Sequence, residues 1–171
     1  LTYHYGAPRS EAEVFEAMYA AGDRKRIEAQ GFSLLEMKRY LDGQGYRADG
    51  FRLGYDALAG LNTPSIAMIN TGNYRHFVVV KGVSDGHVLV GDPMLGLHAY
   101  KRAEFEKIWN GVAFLIRQPP DEARYNDPQE WRPYAPTPWS ATMETVRVAA
   151  RPEIDPLYQI APIFNLDSVL Q

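Results

Sequence analysis

The chain has 171 residues, 46% of them hydrophobic and 23% charged, which is the size and composition of one ordinary globular domain. A net charge of −3 gives no basic surplus of the kind that nucleic acid or an anionic membrane surface demands, and no apolar run is long enough to span a bilayer. Cysteine is absent, so these residues hold no disulfide, no thiolate metal site and no thiol nucleophile.

Leu1 to Tyr5 reads as the end of a helix, with Gly6 as its stop and Pro8 shortly after. The chain opens on Leu1, with no methionine and no signal-like segment, so a trimmed N-terminus is expected. Ser10 caps the next helix with Glu13 three residues on, and Val14, Phe15, Met18 and Tyr19 form its apolar stripe. The polar stretch GDRKRIEAQG is expected to be loop. Ser33 and Glu36 repeat the capping pattern before a helix whose buried side is Leu34, Leu35, Met37, Tyr40 and Leu41. Tyr46–Leu53 alternates like a strand, Tyr55–Leu61 is a short helix, and Pro64–Asn70 is a strong strand followed by a turn at Thr71-Gly72-Asn73.

A hairpin from Tyr74 to Pro93 is central to the reading. Phe77 to Val80 is a continuous, largely β-branched run, Ser84-Asp85-Gly86 supplies the turn, and Val88 to Val90 return. Antiparallel pairing brings the start of the first strand beside the end of the second, so His76 and Asp92 should meet at one end. An imidazole beside a carboxylate is the base-plus-orienter half of a nucleophilic triad. The alternative is a strand-end histidine bonded to nearby backbone, with Asp92 opening a turn before proline. Beyond the hairpin come a turn at Met94–Gly96, a strand at Leu97–Lys101, a helix at Arg102–Trp109, a break at Gly111 and a last strand at Val112–Ile116. Helices followed by a mostly antiparallel sheet give the class α+β.

From Gln118 onward prolines accumulate and aliphatics thin out, so 118–171 reads as an extended segment that wraps the domain or links it to something else. Within it, Ser140–Ala149 is a strand or short helix, and the apolar end from Asp155 is suited to docking. The other polar candidates are weaker. His87 belongs at the hairpin tip, away from His76, so His76, His87, His98 and Asp92 do not converge as metal ligands. His4 has no partner at metal spacing, and Ser10 and Ser33 are helix caps with no nucleophile elbow around them.

The pieces GFSLLEMKRYLDGQGYRADGFRL, PSIAMIN, RHFVVVKG, VLVGDPMLG and FEKIWNGVAFLI occur in an order that resembles the peptidase C39 family, papain-like cysteine proteases that remove double-glycine leader peptides. The resemblance covers Leu1 to Ile116. It implies a papain-like fold over 1–117, with 118–171 as an extension outside the match. It also implies that His76 is the catalytic base and Asp92 its orienting carboxylate. In that family the nucleophile cysteine, preceded by an oxyanion-hole glutamine, begins the first helix. That places both roughly two turns before Leu1 at 3.6 residues per turn.

The resemblance further implies a peptide or protein substrate, no cofactor and no metal. A lone domain with an added tail is similar to the free-standing C39-like protease of functional-amyloid secretion operons, which implies a secretion-system component as partner and a periplasmic or secreted location. Domains fused to exporters would instead lie on the cytoplasmic face. Two other readings stand beside the peptidase: a non-catalytic C39-like domain that binds an exported unfolded substrate, and a generic α+β binding module. Without a cysteine, these residues alone should hydrolyse nothing by a thiol route. Without the first helix they should expose apolar faces that favour self-association.

Overall fold

The computed structural model describes residues 1–72, 74–118 and 124–134. Its first part is helical. α1 (Thr2–Tyr5) stops at Gly6, whose φ of 54° lies in the left-handed region. α2 (Glu11–Ala21) and α4 (Leu34–Gly43) open with capping boxes at Ser10–Glu13 and Ser33–Glu36. Between them the polar stretch expected to be loop forms α3 (Arg24–Gln30). The Asp23 carboxylate accepts the Arg26 N–H to cap it, and Ile27 is its one buried anchor. A seven-residue helix with a single apolar contact leaves no periodic stripe to read. On α2 only Met18 is buried and Phe15 is exposed. On α4, Leu34, Met37 and Leu41 turn inward while Leu35, expected in the core, is 45% exposed.

The sheet strands are β1 (Ala48–Arg52), β2 (Ser65–Asn70), β3 (Arg75–Ser84), β4 (His87–Asp92), β5 (Gly96–Lys101) and β6 (Trp109–Ile116), with α5 (Tyr55–Ala59) after β1 and α6 (Arg102–Ile108) after β5. They form one antiparallel sheet in the order β1-β6-β2-β3-β4-β5. The class is therefore α+β, as expected. β6 starts earlier than its sequence suggests. Gly111 does not break the chain but sits inside the strand at φ 79°, its carbonyl accepting the Leu53 N–H at 2.8 Å. The β2–β6 register shifts just there, which absorbs the glycine. The turn expected at Thr71-Gly72-Asn73 is closed by the Thr71 N–H donating to the Tyr74 carbonyl at 3.0 Å, Asn73 itself lying outside the described residues.

Two apolar clusters occupy the two faces of the sheet. On one, Ala67, Ile69, Val78, Val80, Val88, Val90 and Ala113 pack with Tyr55 and Leu58 of α5 and with Phe105 and Trp109. On the other, Ala48 and Phe114 pack with Leu41, joined by Leu1, Leu34, Met37 and Ile66. The strand alternation of period two sorts these residues. Residues 124–134, within the proline-rich extension, pack on the sheet: α7 (Pro128–Trp131) and a 3-10 turn (Arg132–Tyr134) follow Asn126, and Tyr125 joins the first cluster. Burial pushes the Tyr125 phenol up to about 12. Within the segment read as extended and wrapping the domain, Asp127 caps and Pro128 opens a short helical turn that the sequence reading did not include. Ser140–Ala149, read as a strand or short helix, and the apolar end from Asp155 lie outside the described residues.

Two polar groups are buried on the helical side. Burial alone would raise Glu36, but hydrogen bonds from Arg26 and from the Ser33 side chain and backbone outweigh it and hold the carboxyl below its usual range. His4 goes the other way for an imidazole: burial, then the positive charge of Lys81, lower its pKa.

Two outcomes test this description. Phe105→Ala, at a fully buried position, should cost about 3–5 kcal/mol in urea unfolding, while Phe51→Ala, 40% exposed, should cost under about 1 kcal/mol; equal losses would mean the core is elsewhere. Because the folded pKa of His4 is depressed, the unfolded chain binds its proton first, so stability is lost as pH falls below the ordinary imidazole range. Unfolding curves near pH 7 and near pH 5 should show a smaller acid loss for His4→Gln than for the wild type.

Candidate active site

The site is built at the open end of the β3–β4 hairpin. At the other end the chain turns through Asp85 and Gly86, both at positive φ (48° and 73°), the two-residue geometry whose twist matches the strands. Aligned from that turn, Ser84 pairs with His87, Val83 with Val88 and Gly82 with Leu89. The register then steps by one residue at Lys81, so that Val80 pairs with Val90 and Val79 with Gly91. The next position sets Asp92 across from Val78. Residues opposite one another share a face, so Asp92 lies on the face of Val78 and of its neighbour two back, His76.

The two side chains meet there. His76 Nε2 lies 2.8 Å from Asp92 Oδ2, and both residues are buried, the aspartate side chain completely. The other carboxylate oxygen accepts the backbone N–H groups of Met94 (2.7 Å) and Leu95 (3.1 Å) in the turn that Pro93 opens. Asp92 thus organises the turn with one oxygen and binds the histidine with the other. A carboxylate can only accept, so Nε2 carries the proton and Nδ1 the lone pair of the neutral ring. Nδ1 is buried and has no hydrogen-bond partner among the described residues.

Tyr74 was not singled out from the sequence. Its ring stacks on His76 with centroids 4.9 Å apart and planes 26° apart. The signal was available, since Tyr74 precedes His76 by two positions and so shares its face. On the sheet face of Phe77 and Val79, opposite to His76, an open apolar cavity of about 340 Å³ is lined by Met37, Ile66, Phe77, Val79, Gly91 and Pro93 and borders Asp92. The turn residues Met94 and Leu95 are 51% and 64% exposed.

The remaining candidates fall away from this point. His87 sits at the hairpin tip, its Nδ1 3.0 Å from the Asp85 carbonyl, and His98 contacts the Tyr100 ring. No group of three or more metal-ligating side chains occurs among the described residues. Ser10 and Ser33 are engaged as caps.

A sequence model of the peptidase C39 family matches residues 22–121, well over half of the chain and including both His76 and Asp92. The chain belongs to the peptidase C39 family. It is 42% identical over 112 residues to the probable functional amyloid protease FapD of Pseudomonas aeruginosa, covering 66% of this chain and 50% of that protein. It is 37% identical over 106 residues to the corresponding Pseudomonas fluorescens protein, covering 62% and 47%. The chain therefore spans about half the length of these relatives. Among solved structures it resembles the peptidase domain of Streptococcus ComA, a bi-functional ABC transporter, with a TM-score of 0.54 and 20% identity over 65% of this chain and 80% of that one. At that identity the likeness establishes the fold.

Asp92→Ala removes the acceptor for two backbone N–H groups and for the imidazole. Urea unfolding should show a loss of at least about 1–3 kcal/mol, the cost of leaving buried donors unmet. A change near zero would mean the carboxylate bonds do not persist in solution.

Proposed function

We propose that this chain is the base-and-orienter portion of a C39-type cysteine endopeptidase, with His76 as general base and Asp92 as the group that fixes its tautomer. The observation that carries the reading is the setting of the His76 ring: Nε2 is held by a buried carboxylate while Nδ1 is buried and unpartnered among the described residues. A base so arranged takes a proton from a donor presented to Nδ1. The donor proposed is a cysteine thiol. The sequence contains none, so the thiol belongs to residues outside these 171. Once deprotonated, the thiolate attacks a peptide carbonyl and forms a thioester. The imidazolium returns its proton to the leaving amine, and water, deprotonated in turn by Nδ1, releases the acid and the thiol.

The proposed substrate is a secreted peptide or protein. Support comes from the family match and from relatives described as probable functional amyloid proteases. A secretion-system component is the proposed partner, and the periplasm or the exterior the proposed location; fractionation of native cells that leaves the protein in the cytoplasm would overturn the latter. Within this reading 1–117 is the peptidase region and 118–171 an extension of which 124–134 is docked on the sheet. One observation favours a second reading, a non-catalytic domain that binds an unfolded exported chain: an apolar groove borders Asp92 in a sequence without cysteine.

The test uses the natural full-length protein and its co-secreted substrate. Peptidase activity should be blocked by a thiol alkylating agent and reduced about 10²–10⁴-fold by His76→Ala, and the 171 residues alone should be inactive. A full-length protein with no cysteine ahead of Leu1 would end the peptidase reading, and calorimetric binding of the unfolded substrate would then establish the second.

A further inference from the structure

The pairing of His76 with Asp92 depends on the one-residue register step at Lys81. Had the pairing set by the Asp85-Gly86 turn continued unbroken, Val80 would face Gly91 and Val79 would face Asp92. Asp92 would then lie on the face of Phe77 and Val79, opposite to His76, because a one-residue slip moves every side chain to the other face. The extra residue in β3 is therefore what brings base and carboxylate together.

A bulge leaves backbone groups without ladder partners, and here the difficulty is compounded. β2 starts at Ser65, opposite Val80, so Lys81 to Ser84 have no strand of β2 beside them on that side. Asn126 fills the gap. Its N–H donates to the Lys81 carbonyl at 2.9 Å and its side-chain amide donates to the Val83 carbonyl at 3.2 Å. The Trp131 indole N–H donates to the Asn126 side-chain oxygen at 3.3 Å, which sets the amide orientation, and Lys81 is ion-paired with Glu130. Asn126 adopts φ 58°, a left-handed conformation that asparagine tolerates better than most residues. The fit requires glycine opposite: a Cβ on Gly82 would lie 2.1 Å from the Asn126 side-chain oxygen and 3.1 Å from the Trp131 indole nitrogen. Asn126 and Trp131 both lie beyond residue 121, where the family match ends.

We propose that Asn126, held by Trp131, is a positioning residue that locks the β3 bulge and so fixes the register in which Asp92 faces His76. The proposal needs only the pair, and stands whether or not the pair serves a peptidase.

The test is made on the full 171-residue chain, labelled with ¹⁵N. Long-range ¹H–¹⁵N spectra report the His76 tautomer and its Nε2 proton, and contacts between backbone protons report whether Gly91 faces Val79 or Val80. In the wild type, Nε2 is protonated and Gly91 faces Val79. Asn126→Ala should weaken or split the Nε2 signal and introduce Val80–Gly91 contacts while the circular dichroism of the sheet persists. Asn126→Gly retains the left-handed backbone and the bond to the Lys81 carbonyl, so it should show the same change at lower amplitude; it decides the matter if the alanine variant does not fold. Ile27→Ala, which weakens α3 away from the hairpin, should leave the signal in place. Wild-type histidine spectra and register in the folded Asn126 variants would overturn the proposal, as would an equal loss of the Nε2 signal in Ile27→Ala.

Discussion

One extra residue in β3 decides the chemistry available to this domain. From the Asp85-Gly86 turn to Gly82 the hairpin runs in one register, and from Val80 onward in another. The step lets Val78, Val80 and Val83 all serve the same apolar cluster although they do not share parity. It also puts Asp92 on the side of the sheet where His76 lies. A hairpin without the step would satisfy its backbone more simply and would have no buried imidazole–carboxylate pair. The carbonyls of Lys81 and Val83, at and beyond the step, have no β2 strand beside them, and the returning chain at Asn126 supplies their partners. Scaffold and site are coupled at this point, five residues from the histidine itself.

The pair is held from three directions. Asp92 is fixed through two backbone N–H groups of the turn it opens, so its carboxylate plane is set before the histidine is considered. His76 is confined by that carboxylate at one nitrogen and by the Tyr74 ring across its face. Removing a carboxylate from water is expensive, and three accepted hydrogen bonds are the means by which this one is kept. The consequence is an imidazole with little rotational freedom. A general base works through geometry before it works through basicity, and an immobilised ring loses less entropy on meeting a proton donor.

Much of this was legible because it rests on local rules. Ser10 with Glu13 and Ser33 with Glu36 announced their helices through the capping box, and the run from Phe77 to Val80 bounded by Asp85-Gly86 announced the hairpin. His76 and Asp92 could be placed together from antiparallel pairing alone. What stayed hidden depends on contacts distant in sequence or on patterns too short to register. α3 rests on Ile27 and one aspartate cap. Gly111 reads as a breaker, but the neighbouring strands tolerate its positive φ inside β6. Leu35 looks like core because helical spacing cannot say which side of a wide apolar face the sheet will cover. The register step was not visible either: nothing in Val80-Lys81-Gly82 marks a bulge until Asn126, more than forty residues later, supplies the missing partner.

Buried polar groups separate into two kinds here, and the difference bears on function. Glu36 is fully engaged by Arg26 and the Ser33 cap, and serves only to join α3 to α4. His4, Ser65 and His76 each keep a buried atom with no partner among the described residues. An unmet buried group is a cost of about 1–3 kcal/mol, so it asks for a reason, but the cost alone does not separate a site from a defect. The distinguishing feature of His76 is the other half of its ring. Among the described residues no hydrogen bond fixes which nitrogen of His4 carries the proton, and none fixes the Ser65 hydroxyl. In His76 the carboxylate assigns the proton to Nε2 and thereby commits Nδ1 to accepting. A buried acceptor with a fixed tautomer, a stacked ring and a carboxylate behind it is arranged to receive a proton, and this argument holds independently of any likeness to other chains.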